Sequence, residues 1–159
     1  MNTNMKRRIF LKGSLAAGTV GIAVGAGLLA PQAVMAAWPK SAFAAKNVAD
    51  ALGGSLGGTQ TEASEMIKIK APDIAENGAV VPVSVEASGI AGAESIALLA
   101  EKNGTPLVAT FVLGAGGVAD VSTRIKMGET SDVIAVVKSG GKLYSNRKSV
   151  KVTIGGCGG

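Results

Sequence analysis

Few residues in this chain could do covalent chemistry, and the one strong nucleophile is Cys157. It is the only cysteine in 159 residues and stands inside Gly155-Gly156-Cys157-Gly158-Gly159, two residues from the end of the sequence. No second cysteine exists for an internal disulfide, and too little sequence follows to bury the thiol. Glycine has the widest backbone freedom of any residue, and five extended residues reach about 17 Å. The expectation is a thiol on a slim, flexible arm, able to enter another protein's pocket. That is the layout of a carrier. A frayed end would account for glycines but not for a cysteine centred among them. An unpaired cysteine in an exported protein also permits an intermolecular disulfide, which is compatible with a carrier. Gly158-Gly159 is not the aliphatic tail of a prenylation box.

The chain has no histidine, so no Cys/His pair can form, and no oxyanion motif accompanies Cys157. No cation adjoins it to favour the thiolate. Activation must then come from a partner enzyme's site, and the chain is expected to be a substrate of enzymes rather than an enzyme. One cysteine and no histidine remove the usual ligand sets for zinc, haem and iron–sulfur clusters. The 11 carboxylates show no calcium-loop spacing. Neither a cofactor nor a metal is expected.

The other end of the sequence says where this chemistry would take place. Arg7-Arg8 precede Phe10-Leu11-Lys12, and an apolar stretch rich in Gly and Ala runs from Leu15 to Ala30. This resembles a twin-arginine export signal, with Lys6 where Ser or Thr is usual. The apolar stretch is shorter than the ~20 residues of a membrane-spanning helix and carries several glycines. Cleavage fits after Ala36, with a second candidate after Ala44. The expected location is the periplasm, with no membrane attachment after cleavage. Twin-arginine export carries folded proteins, commonly because a cofactor or a partner travels with them. With cofactor ligands missing, a co-exported partner is the better explanation.

The signal also holds four of the 16 basic residues. Residues 37–159 keep 12 basic against 11 acidic, a net of +1. The basic balance belongs to the signal, so there is no electrostatic footprint for nucleic acid. Three Phe, one Trp and one Tyr provide no platform for stacking bases.

Behind the arm must stand something that holds it. The organisation read from the sequence is a signal over 1–36, a helix and linker over 37–65, a sandwich domain over 66–154 and the arm over 155–159. Trp38 to Leu52 reads as a short amphipathic helix with Phe43, Val48 and Leu52 on one face. Gly53-Gly54 and Gly57-Gly58 are read as ending it, with a loose segment through Glu65. Seven runs then read as strands: 66–70, 80–87, 95–101, 107–112, 118–126, 132–138 and 142–154. Alternation is clearest where Val121, Thr123, Ile125 and Met127 oppose Asp120, Ser122, Arg124 and Lys126. It recurs where Val150, Val152 and Ile154 oppose Ser149, Lys151 and Thr153. That pattern suits sheets packed on one face. Asn103-Gly104 and Ser139-Gly140-Gly141 are hairpin signals. The expected fold is all-β, an immunoglobulin-like sandwich of about seven antiparallel strands with a short N-terminal helix. Its core of Val, Ile, Leu and Ala is small for its size, which again favours a partner covering one face.

Together these residues resemble the SoxY family, the sulfur-carrier subunits of the periplasmic thiosulfate-oxidising (Sox) system. The resemblance rests on the Gly-Gly-Cys-Gly-Gly tail, on Ala37-Trp38-Pro39-Lys40, on the run Ala71-Pro72-Asp73-Ile74-Ala75-Glu76-Asn77-Gly78-Ala79-Val80-Val81-Pro82-Val83, and on Val121 through Gly128. It implies a heterodimer with a co-exported SoxZ-like β-sandwich subunit. It implies Cys157 as the covalent attachment point for sulfur, with Gly155, Gly156, Gly158 and Gly159 as its flexible arm. It also implies three enzymes that act on the arm: a haem enzyme that couples thiosulfate to the thiol, a thiohydrolase that releases sulfate, and, in organisms that have one, a sulfur dehydrogenase. Two other readings stay open on the residues. Ubiquitin-like carriers also end in Gly-Gly and hold sulfur as a C-terminal thiocarboxylate, but they need ATP-dependent activation in the cytoplasm. A structural exported sandwich with an incidental cysteine would keep its function after Cys157→Ser.

Overall fold

The computed structural model describes residues 39–153, all within the compact unit Trp38–Gly159. Two short helices lead, α1 (Lys40–Ala44) and α2 (Val48–Leu56). Nine strands follow: β1 (Glu62–Ala63), β2 (Lys68–Lys70), β3 (Ile74–Ala75), β4 (Val81–Glu86), β5 (Ala93–Ala100), β6 (Leu107–Val112), β7 (Asp120–Ile125), β8 (Ser131–Ser139) and β9 (Lys142–Val152).

The strands form two sheets. The larger runs β1-β9-β8-β5-β6, with β3 also paired to β9, and the smaller runs β2-β4-β7. The seven longer strands thus make a three-on-four sandwich of immunoglobulin type, antiparallel in every pairing among them. The two additional strands depart from the seven-strand expectation. Both β1 and β3 lie parallel to β9, β1 at Tyr144–Ser145 and β3 at Lys151–Val152. They cover the two ends of an edge that would otherwise present unpaired backbone groups. β1 falls within the stretch read from sequence as a linker.

Alternation explains the packing of the small sheet. Val81, Val83 and Val85 of β4 point inward against Ile96, Leu98 and Ala100 of β5 and Val133, Ala135 and Val137 of β8. The outward row of β4 and β7 is polar, with Ser84 and Ser122 sharing a hydroxyl hydrogen bond of 2.8 Å. One-sided packing does not hold for the middle of the large sheet. Ile96–Ala100 and Val133–Val137 are buried at every position. The reason is a third layer: α1 and α2 lie on the outer face and bury Ala97, Leu99, Leu107, Ile134, Val136 and Leu143 against Ala42, Ala51, Leu52 and Leu56. Phe43 and Val48 pack at the margin of that layer, the face expected of them.

The helical segment is two helices rather than one. Asn47 starts the second by accepting the Asp50 N–H and donating to the Asp50 carboxylate, each at 2.8 Å. Such a cap, with an acid in the first turn, favours the helix start. Gly53-Gly54 does not break α2, which ends only at Gly57, where φ of 77° gives the left-handed closing turn. Gly54 serves a contact. A Cβ there would lie 2.9 Å from Ala42 Cβ and 3.0 Å from Ala42 Cα, so the missing side chain is what lets α1 and α2 meet. Both sequence-read hairpins hold: β5 and β6 pair antiparallel on either side of the loop that contains Asn103-Gly104, and Ser139 pairs with Lys142 across Gly140-Gly141, both at positive φ, as a two-residue hairpin requires.

Candidate functional site

The register shows which segments surround the end of β9. Ser131 pairs with Val150 and Ala100 with Val133, and Leu107 faces Leu99. The last turn of the sandwich before residue 154 is therefore built from the end of β9, the start of β8, the β5–β6 loop and the segment leading into β4. Gly155, Gly156, Cys157, Gly158 and Gly159 lie outside the described residues. So do the signal residues Arg7, Arg8, Phe10, Leu11 and Lys12. The structure accordingly defines the root from which the cysteine segment departs.

That root is gripped from both sides. On one side the Lys151 N–H donates to Asp73 O at 2.9 Å and the Thr153 N–H to Ala75 O at 3.1 Å. The Thr153 hydroxyl adds a bond to Glu76 O at 3.2 Å. On the other side β8 has ended, and a side chain takes over its pairing. The Val152 N–H donates to Thr130 Oγ1 at 2.9 Å, and the same hydroxyl donates to Val152 O at 3.3 Å. A hydroxyl can do both at once. Val150 is fully buried and Val152 packs against the core between the sheets, so β9 is held to its final residue.

Electrostatics close the strap that residues 73–76 form along the end of β9. Lys148 Nζ lies 2.7 Å from Asp73 Oδ1. The hydrogen bond from Lys148 and its positive charge hold the Asp73 carboxyl below the usual carboxylate range. Asp73 is largely solvent-exposed and Lys148 about one-third exposed, so the pair orients the strap more than it stabilises the fold.

The segments that carry the family resemblance converge on this root. Asp73–Ala75 covers β3 and the residue before it. Asn77 then turns the chain, its Oδ1 accepting the Ala79 N–H at 2.8 Å, and Val81 and Val83 enter the core as β4. The Met127 N–H donates to Gly78 O at 2.7 Å, which joins the 121–128 segment to the 71–83 segment. Asn103 ties the same corner together, donating to Lys126 O at 2.7 Å and accepting the Gly128 N–H at 2.9 Å. Beside the root the strap leaves Ile74 and Val80 more than half exposed.

Thr130, Thr153, Lys148 and Asn103 are not among the sequence-predicted site residues. Lone polar residues at strand ends carry no spacing signal. Of the side chains that hold the root and its corner, Asp73 and Asn77 lie inside a segment marked by its resemblance. Among the described residues no group of three or more His, Cys, Asp or Glu could hold a metal ion, and no helix is long and apolar enough to cross a membrane. A cleft of about 700 Å³ lined by Ile90, Glu94, Val112 and Val118 among others opens at the opposite end of the sandwich, away from the root.

Comparison with known proteins agrees with the converging segments. No curated protein matches the chain. Among solved structures, the sulfur carrier protein SoxY from Chlorobium limicola f thiosulfatophilum is 44% identical, over 66% of this chain and 94% of that one, with a TM-score of 0.60. Residues 53–157 match the family described as sulfur oxidation protein SoxY. That span begins in α2, takes in the whole sandwich and root and reaches Cys157, and on it the chain belongs to the SoxY family.

Proposed function

We propose that this chain is a periplasmic sulfur carrier that holds thiosulfate-derived sulfur on Cys157 and presents it to the enzymes of thiosulfate oxidation. The observation that carries the reading is a contrast between adjacent segments: β9 is clamped on both sides to its end at Val152, with Thr153 still held on the β3 side, and the sequence turns to Gly-Gly-Cys-Gly-Gly two residues after Thr153. A fixed root with a glycine-framed thiol beyond it suits an arm that searches a limited volume around one end of the sandwich. Family membership and 44% identity to a sulfur carrier protein support the carrier role.

The chemistry follows from a lone thiol. Oxidative coupling by a partner haem enzyme joins thiosulfate to Cys157 through a new S–S bond, releasing one proton and two electrons to that enzyme. Hydrolysis by a thiohydrolase then breaks the bond between the outer sulfur and the sulfonate. Water supplies the fourth oxygen of sulfate, and a persulfide remains on Cys157. In organisms with a sulfur dehydrogenase, oxidation of the outer sulfur and a second hydrolysis restore the thiol. The chain contributes attachment, reach and slimness, while the partners contribute the active sites. Export on Arg7-Arg8 with a SoxZ-like subunit would bring the carrier to where these enzymes act.

Intact mass of the exported protein tests this. Cells are exposed to thiosulfate, the protein is isolated without reductant, and Cys157→Ser is run in parallel. Reductant-labile adducts of sulfur or thiosulfonate mass are expected on Cys157 alone, with a small subunit co-purifying. An unmodified thiol would overturn the carrier role. A mass change at Gly159 instead would move the chemistry to a thiocarboxylate.

A further inference from the structure

We propose that Thr130 is a positioning residue for the carrier arm: its hydroxyl stands in for the missing end of β8 and fixes the point at which the arm leaves the sandwich. The role builds on the carrier reading above. The β8–β9 ladder ends at Ser131 and Val150. One pairing unit further along, Val152 turns its N–H and C=O toward the same side, and no β8 backbone meets them there. The Thr130 hydroxyl meets both, at 2.9 and 3.3 Å. β3 and its neighbours hold the alternate residues, Lys151 and Thr153, on the other side. Val152 is thus the one described residue of the root whose grip depends on a single side chain. That side chain is placed by a pinned turn, since Asn103 holds both Lys126 O and the Gly128 N–H just before it. Freeing Val152 would unpair one edge of β9 at its end and leave that end held on the β3 side alone, through Lys151 and Thr153, so that the pivot of the arm could swing more widely. The thiol would then search a larger volume, and the fraction of time it spends aligned with a receiving site would fall.

The test compares Thr130→Val, which keeps shape and β-branching but removes the hydroxyl, with Thr130→Ser, which keeps the hydroxyl. Amide hydrogen exchange at Val152 is read by NMR on the full exported chain, with the Val136 amide in the sheet centre as internal reference. Loss of the hydroxyl should speed Val152 exchange about five- to tenfold, the scale of one or two exposed hydrogen bonds. Val136 should be unchanged, and Thr130→Ser should restore protection. With sulfur-loaded carrier as substrate, the thiohydrolase partner should show a KM raised several-fold for Thr130→Val at unchanged kcat. Unchanged Val152 exchange would overturn the proposal. So would faster exchange shared equally by Val136, which would make the hydroxyl a contributor to global stability, or faster Val152 exchange with an unaltered KM. Failure of the carrier reading shows separately, as absence of sulfur on wild-type Cys157. It would take the role in handover with it, while exchange at Val152 would still report the grip.

Discussion

In the proposed carrier role Cys157 would be loaded by one enzyme and unloaded by another, and neither site could then accommodate bulk around it. Gly156 is therefore a residue whose substitution should separate transport from folding. Gly156→Val adds a branched side chain next to the thiol, beyond the last clamped residue. Handover to the partner enzymes is expected to slow on the order of tenfold or more, as for a misplaced reacting group, with no change in melting temperature. Turnover of the reconstituted system beside a thermal melt checks it, and normal turnover would sink the idea. At the root, Asp73 and Lys148 give a prediction with a sign. The Asp73 carboxyl sits below its usual range because Lys148 bonds and attracts it. A depressed carboxylate contributes stability above its unfolded value and loses it as pH falls through the folded one. The strap should hold unchanged from neutral into mildly acid conditions and loosen only below the ordinary carboxylate range. Carboxyl NMR should place the Asp73 midpoint below that range in the wild type and return it there in Lys148→Met. An identical midpoint in the variant would show that the pair does not exist in solution.

At the scale of elements, α2 shows how tertiary contact overrides composition. Gly53-Gly54 reads as a break, yet the helix runs through both. The two glycines should respond oppositely to alanine. Gly53 has only Thr59 Cγ2 near, at 3.6 Å, so Gly53→Ala should gain up to about 1 kcal/mol from helix propensity. Gly54→Ala gains the same propensity but drives a methyl into the backbone of α1, an overpacking cost of about 1–3 kcal/mol. A net loss of about 1 kcal/mol is expected, visible as a melting temperature lower by about 4 °C. Equal shifts of the same sign would mean that α1 and α2 do not touch in solution. What is legible in the sequence follows the same division. β6 runs Leu107–Val112 as read, and the Gly140-Gly141 turn is plain because its residues suit positive φ. β1 and β3 escape a reading of pattern because two residues carry no alternation; the edge of β9 makes them strands. The unbroken apolar runs of β5 and β8 read as strands, but their burial on both faces depends on helices that no local pattern ties to them. The Gly-Gly-Cys-Gly-Gly motif is the clearest signal in the sequence, whereas the clamp at the end of β9 is not, since Thr130 and Thr153 act through backbone positions fixed by distant segments.

For the whole molecule, β5 and β8 are the shared wall of two cores. Leu98 faces the inter-sheet cluster and Leu99 faces the helical layer, and both are fully buried. If the helices were an appendage on an independent sandwich, Leu99→Ala would melt them and leave the sandwich standing. Their shared strand argues otherwise, because a backbone shift that relieves a cavity on one face disturbs the packing on the other. Leu98→Ala and Leu99→Ala are therefore each expected to cost about 2–5 kcal/mol, and each should leave one cooperative transition. Urea unfolding followed by far-UV circular dichroism and by Tyr144 fluorescence distinguishes the cases. Tyr144 packs against the inter-sheet cluster and reports the sandwich, while helical ellipticity reports the outer layer. Coincident transitions in both variants would make the three layers one folding unit. That unit would hold the root of the arm at a constant distance from every face a partner can grip. Separated transitions in Leu99→Ala would assign the helices to a detachable layer and leave the rigidity of the root to the sandwich alone.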